Sequence, residues 1–203
     1  MTILWRFTCG SRGILGAACD IWGANSGNGL TAVRFLLIDR ITDLREGDSI
    51  TAIKVLTLAE EYLADHFPRF PVMPGVMMLE SMYQACAWLV RKSEDFEHSI
   101  VVLREARNVK FSSFVEPGQV LAVKATIVKQ DETTTTLKAE ATVDGKTAVS
   151  AKLVLERYNL ADRYPTRAAS DAFTKRQMRE QFNLLYWPLP VESVNTGDPL
   201  PIL

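Results

Sequence analysis

The chain has no excess charge of either sign: 23 lysines and arginines stand against 24 aspartates and glutamates. Without a basic bias it carries no electrostatic footprint for nucleic acid or an anionic membrane. No apolar run reaches the roughly 18 to 20 residues that a bilayer-spanning helix needs, so no membrane span is expected. Cysteines number three, Cys9, Cys19 and Cys86. They lack metal-ligand spacing and cannot all pair, which points to reduced thiols and a reducing, cytoplasmic setting. Histidines number two, His66 and His98, so imidazole chemistry must fall on one of them. Internal repeats and glycine-rich phosphate loops are absent.

What the chain does have is concentrated in one stretch, from His66-Phe67-Pro68 through Pro71-Val72-Met73-Pro74-Gly75-Val76 to Glu80 and Gln84. A histidine opens a proline-stiffened loop. A carboxylate then sits inside a run that is otherwise almost wholly apolar. Burying an ionised carboxylate costs several kcal/mol, roughly, unless it is paired or its pKa rises. A histidine and a carboxyl of raised pKa together can move protons at neutral pH. His98 lies in a polar segment, and we expect it to face solvent.

Around this stretch the pattern reads as alternating elements. The run Phe35–Ile41 and the β-branched run Ser49–Leu56, joined by Glu46-Gly47-Asp48, predict a hairpin. Residues 58–63 suggest a short helix. The spacing predicts a long helix from Pro74 or Gly75 to about Lys92, apolar on nearly every face and therefore wrapped by protein. Strands are expected over Ile100–Phe111 with a bend after Arg104, Val120–Lys129, Thr133–Val143 and Lys146–Arg157. Asp144-Gly145 between alternating runs is a hairpin signal. The four threonines from Thr133 read as an exposed strand start. A helix over Ser170–Leu185, with Ser170 as N-cap, and an irregular proline-rich tail close the chain. Phe182, Leu185 and Trp187 are its candidate contacts with the core. The order implies α+β architecture, an antiparallel sheet wrapped around one central apolar helix. We expect residues 1–33 to form a poorly ordered leader, 34–158 the domain, and 159–203 a C-terminal extension.

These residues resemble a known family. His66-Phe67-Pro68, Pro71-Val72-Met73-Pro74-Gly75-Val76, Glu80 and Gln84 are similar to the signature of the 3-hydroxyacyl-[acyl-carrier-protein] dehydratases of type II fatty acid synthesis. The run Phe35–Ile41, and Val109-Lys110-Phe111 followed by Pro117-Gly118, add to the likeness, which covers about residues 34 to 157. The resemblance implies a hot-dog fold. It implies a homodimer whose two sites each take the histidine from one chain and the carboxylate from the other, with a trimer of dimers as a higher assembly. It further implies no cofactor of the enzyme's own, the substrate riding on the phosphopantetheine arm of acyl carrier protein. The sister group that also isomerises its product carries an aspartate where this chain has Glu80, which favours the plain dehydratase. One departure stands out. The family has glycine where this chain has Arg69, and a polar residue where it has Phe70. Arg69 reads either as a contact for the arm's phosphates or as a solvated arginine at the rim.

On this reading His66 is the base and Glu80 the acid. The backbone N–H groups of Gly75 and Val76, at a helix N-terminus, can hold the thioester oxygen. Gln84, one turn beyond Glu80, can orient it. Met73, Met77, Met78, Met82 and Tyr83 either line an acyl tunnel or belong to the core. Two other classes stay open from the residues: a hot-dog acyl thioesterase, which would not need His66, and a non-catalytic module binding acyl carriers in fatty acid or polyketide assembly.

Overall fold

The computed structural model describes residues 36–67 and 69–186. The expected leader, Cys9, Cys19, Pro68, Trp187 and the proline-rich tail lie outside these residues. Six strands form one sheet: β1 (Arg40–Arg45), β2 (Ser49–Val55), β3 (Ile100–Phe111), β4 (Val120–Gln130), β5 (Thr134–Val143) and β6 (Lys146–Tyr158). Their order is β1-β2-β4-β5-β6-β3, and every neighbouring pair is antiparallel. Among the described residues four helices accompany them: α1 (Tyr62–Asp65), α2 (Gly75–Ser93), α3 (Leu160–Arg163) and α4 (Ala168–Leu185).

Strand alternation decides which face meets the long helix. Along β5, Thr135, Leu137, Ala139, Ala141 and Val143 are buried while the residues between them are less so, the period-two pattern of a half-buried strand. The register places buried Ala125, Ala139 and Ala151 side by side on β4, β5 and β6. Three small side chains in a row leave a shallow trough, and α2 packs against all six strands. Residues Ala85 to Arg91 of α2 are all buried. The wrapping expected of the whole helix is complete only there; at its start Val76 is exposed.

The turns follow their residues. Gly47 takes a positive φ of 73° between β1 and β2, and Asp144 and Gly145 take 50° and 75° between β5 and β6. Two successive left-handed residues make the two-residue hairpin that matches strand twist. The bend expected in β3 is a pair of register shifts, at Leu103/Glu105 and Arg107/Lys110.

Several expectations shift. The first strand starts at Arg40 rather than Phe35. Leu37 and Ile38 are consecutive and both buried, which an alternating strand cannot provide. The short helix falls at Tyr62–Asp65, after turn residues at 58–59 and 61. Thr135 is buried, not exposed, because it accepts a hydrogen bond from Arg157 Nη1 at 2.6 Å. Ser170 is not an N-cap: a 3-10 turn, Pro165–Arg167, feeds α4 two residues earlier, and Pro165 pre-sets the backbone for that entry.

The C-terminal segment is stitched to the domain. The Asp171 carboxylate accepts from the Leu160 and Ala161 N–H groups at 2.9 and 2.8 Å and from the Ser99 hydroxyl. Met178 and Phe182 enter the main core. The Phe182 ring lies 6.1 Å from Trp88 and 5.7 Å from Phe96, centre to centre.

Candidate active site

The helix α2 begins abruptly at Gly75 because Pro74 is extended, with φ −56° and ψ 140°. The Pro74 carbonyl accepts from Met77 and Met78 N–H at 2.9 and 3.2 Å. No side chain caps this end and no acid sits in its first turn, so the partial positive charge of the helix terminus is uncompensated. Gly75 allows a close approach here. A Cβ at that position would lie 3.0 Å from Cε1 of Phe111, whose ring covers the helix entry.

Glu80 sits one and a half turns in. It is half-buried, and burial pushes its carboxyl above the ordinary carboxylate range; the hydrogen bond from Gln84 offsets part of that rise. Gln84 Nε2 donates to Glu80 Oε1 at 3.0 Å, and Gln84 Oε1 accepts from the Leu37 N–H at 2.9 Å. The amide is therefore fixed in orientation, with its donor end facing the acid. Tyr83 turns the other way and donates its hydroxyl to the Val101 carbonyl at 2.8 Å. Met73, Met78 and Met82 are fully buried in the core cluster, with Met77 packed against it.

His66 terminates α1, where its N–H reaches the Tyr62 carbonyl at 3.2 Å. Its ring meets the Phe67 ring edge-on at 4.5 Å between centres. Phe67 takes a left-handed φ of 52°, and the Phe70 N–H closes a turn onto the Phe67 carbonyl at 2.8 Å. Arg69 and Phe70 are exposed on this turn, and the Phe70 ring packs edge-on against Phe114 at 6.1 Å. The loop is tied to the sheet by the Met73 N–H, which donates to the Val115 carbonyl at 2.9 Å. Within one chain His66 and Glu80 do not bond to each other. Phe67, Phe70, Val76, Phe111 and Phe114 are exposed apolar side chains, with Phe111 lying over Gly75 at the helix entry.

Against the expectation of a solvent-facing ring, His98 is part-buried: its Nδ1 lies 2.8 Å from Glu94 Oε2. Glu94 also pairs with Arg157, Oε1 to Nε 2.5 Å, so His98 belongs to a structural network. Cys86 is a buried free thiol, and burial pushes its pKa up. Among the described residues no group of histidine, cysteine or acidic side chains is placed to hold a metal ion. No helix among them is long and apolar enough to cross a membrane.

A family model described as the FabA-like domain matches residues 30–152, and relatives share about two residues in five with the chain. The 3-hydroxyacyl-[acyl-carrier-protein] dehydratase FabZ of Levilactobacillus brevis is 42% identical over 118 residues, 58% of this chain and 80% of the relative. The chain belongs to the 3-hydroxyacyl-[acyl-carrier-protein] dehydratase family. The FabZ dehydratase of Nitrosospira multiformis is 39% identical over 122 residues, 59% of this chain and 84% of that one. Among solved structures, the dehydratase heterocomplex ApeI:P from Xenorhabdus doucetiae superposes with a TM-score of 0.54 at 17% identity, covering 66% of this chain and 90% of that one. That likeness is one of fold, the hot-dog arrangement. The dehydratase-family match ends at residue 152, so α3 and α4 lie beyond it. Sequence reasoning missed two features of the site: the Phe111 ring over Gly75, and the Leu37 N–H that fixes Gln84. The signal for the first was Gly75 itself.

Proposed function

We propose that His66 of one subunit and Glu80 of the partner subunit remove water from a (3R)-hydroxyacyl thioester. The chain is a hydro-lyase of fatty acid biosynthesis acting on acyl-carrier-protein thioesters. The observation that carries the residue assignment is the half-buried Glu80, lifted in pKa yet oriented by Gln84.

The chemistry follows from these placements. His66 takes the proton from the α-carbon. The electron pair left behind forms the α–β double bond as the β-carbon–oxygen bond breaks. Hydroxide leaves poorly, so the acid, Glu80, delivers its proton and the product departs as water. Negative charge that gathers on the thioester oxygen meets the Gly75 and Val76 N–H groups and the uncapped helix terminus. Gln84 keeps the acid aimed. The trans-2-enoyl thioester remains on the arm, which supplies no protein-bound cofactor to the step. Arg69, exposed and without an ion pair among the described residues, meets the arm's phosphates.

A homodimer, assembling further as a trimer of dimers, completes the site. Two features support a shared arrangement: the absence of a bond between His66 and Glu80 within one chain, and the exposed apolar side chains of Phe67, Phe70, Val76, Phe111 and Phe114. The reaction belongs in the cytoplasm, with acyl carrier protein as the partner, and needs neither nucleic acid nor a membrane span. Residues 34–158 form the catalytic unit and the C-terminal extension buttresses it. Hydration of crotonyl thioester, followed spectroscopically, tests the assignment. His66→Ala and Glu80→Gln should each lower the rate by about two orders of magnitude or more. Full activity in either variant would overturn it. Thioester cleavage unaffected by His66→Ala would point to a thioesterase instead.

A further inference from the structure

Lys54 is a buried lysine on β2, and its one ammonium holds two carboxylates. Its Nζ lies 2.6 Å from Glu60 Oε1 and 3.3 Å from Asp39 Oδ1. A buried cation needs such partners, since an uncompensated charge there is strongly unfavourable. The two acids lie on different segments, and each segment leads to one of the proposed catalytic groups.

Glu60 leads to His66. The chain leaves the sheet after Leu56, whose N–H donates to the Gln119 carbonyl at 3.0 Å, and rejoins it at Met73. Within that excursion the Glu60 carbonyl accepts from Leu63 N–H at 3.0 Å, the Glu61 carbonyl from Ala64 at 3.1 Å and the Tyr62 carbonyl from His66 at 3.2 Å. Residues 60–66 are thus one hydrogen-bonded unit, with Glu60 at its start and His66 at its end. Its helix α1 is a single turn without a side-chain cap, too short to hold its shape unaided. Leu63 is sunk in the core. The Tyr62 hydroxyl is buried beside the same cluster: burial first, then the Glu60 and Asp39 charges, push its pKa up. The Lys54–Glu60 pair therefore fixes the start of the unit that ends at the imidazole.

Asp39 leads to Glu80. Its N–H donates to the Ile53 carbonyl at 2.9 Å, and its Oδ2 accepts from the Val55 N–H at 2.6 Å. With Oδ1 on Lys54, Asp39 pins its segment to β2. Two residues earlier the Leu37 N–H donates to Gln84 Oε1, and Gln84 Nε2 donates to Glu80 Oε1. The segment that Asp39 pins is the one whose backbone aims the acid.

We propose that Lys54 is a positioning residue for both proposed catalytic groups of its chain: through Glu60 it sets the loop that carries His66, and through Asp39 the segment that orients Glu80. This rests on the dehydratase reading of those two residues. Lys54 acts through its two acids and not on the substrate. The two arms are separable, because each acid can be altered without touching the other.

The test follows dehydration of a (3R)-hydroxybutyryl thioester by the full-length protein, with a pH–rate profile and an unfolding midpoint for each variant. Glu60→Gln keeps the shape but drops the charge that grips Lys54. Its kcat should fall roughly ten- to a hundredfold with KM little changed, and the alkaline limb, where Glu80 loses its proton, should stay in place. Asp39→Asn offers one side-chain oxygen to two donors. Here the alkaline limb should move to higher pH, as Gln84 loosens its bond to the carboxylate. Lys54→Met should show both changes; if it does not fold, the two isosteric variants decide alone. A kcat unmoved in Glu60→Gln, or a limb unmoved in Asp39→Asn, would overturn the proposal even where the unfolding midpoint drops, since a purely structural ion cluster moves only the midpoint. Full activity in His66→Ala or Glu80→Gln would count against the dehydratase reading, whereas their inactivity beside wild-type kinetics in the Asp39 and Glu60 variants counts against Lys54 alone.

Discussion

Gln84 holds Glu80 through a single hydrogen bond of 3.0 Å while its own carbonyl oxygen is tied to the Leu37 backbone at 2.9 Å. The orientation of the proposed acid is thus set by a segment 47 residues upstream of the amide. Because that bond favours the charged carboxylate, its removal raises the Glu80 pKa further. An acid must be protonated to donate, so the alkaline limb of the pH–rate profile reports this group. In Gln84→Leu that limb should move to higher pH, while the maximal rate falls about tenfold from lost aim. An unmoved limb in the measured profile would remove Gln84 from this role.

Glu80 itself should act against stability. Its folded-state pKa lies above the unfolded one, and burial is the main cause. Between those two values the folded chain binds more protons than the unfolded chain, so stability falls as pH rises through that window. Glu80→Gln, which keeps shape and removes the charge, should unfold at higher denaturant concentration than the wild type at pH 7. The difference should vanish below the ordinary carboxylate pKa, where both side chains are neutral. Equal midpoints at pH 7 would contradict the buried placement.

Phe67 combines backbone strain with a contact to the proposed base. A bulky residue at a φ of 52° stores strain of order 1–3 kcal/mol, and its ring abuts His66. Phe67→Gly should be as stable as the wild type or more so, yet turn over more slowly because the imidazole loses its lateral support. Stability and rate moving down together would mean the ring is merely structural.

Gly75 permits the Phe111 ring to cover the helix entry. Gly75→Ala brings a methyl into that ring, which is itself half-exposed and able to swing aside. The expected loss of stability is small, below about 1 kcal/mol, but crotonyl hydration should drop as the covering ring is displaced. Calorimetry and rates on the same sample separate the two effects.

The C-terminal helix should prove integral rather than ornamental. Phe182 is buried among Trp88, Phe96 and Tyr186, and truncating such a ring costs about 3–5 kcal/mol. Phe182→Ala should lower the unfolding midpoint of the whole domain in one cooperative step. A separate early transition for α4, with the rest unmoved, would show that the segment melts alone.

Much of this fold is written in local pattern. The β5–β6 hairpin follows from Asp144-Gly145 between alternating strands, and α2 follows from Pro74-Gly75 and a run of good helix formers ending in Arg91-Lys92. The composition of α2 required a wrapped helix, and the spacing of His66 to Glu80 pointed to the family. Tertiary contacts decided the rest, since no sequence period encodes a partner far along the chain. Leu37 and Ile38 left the first strand because both are buried at once. Ser170 lost its cap position to Pro165, and Thr135 and His98 were drawn inward by Arg157 and Glu94. Only the packing of α2 against Val101 and Trp88 shows Arg91 buried, because helix periodicity fixes the face a residue shares but not what covers that face.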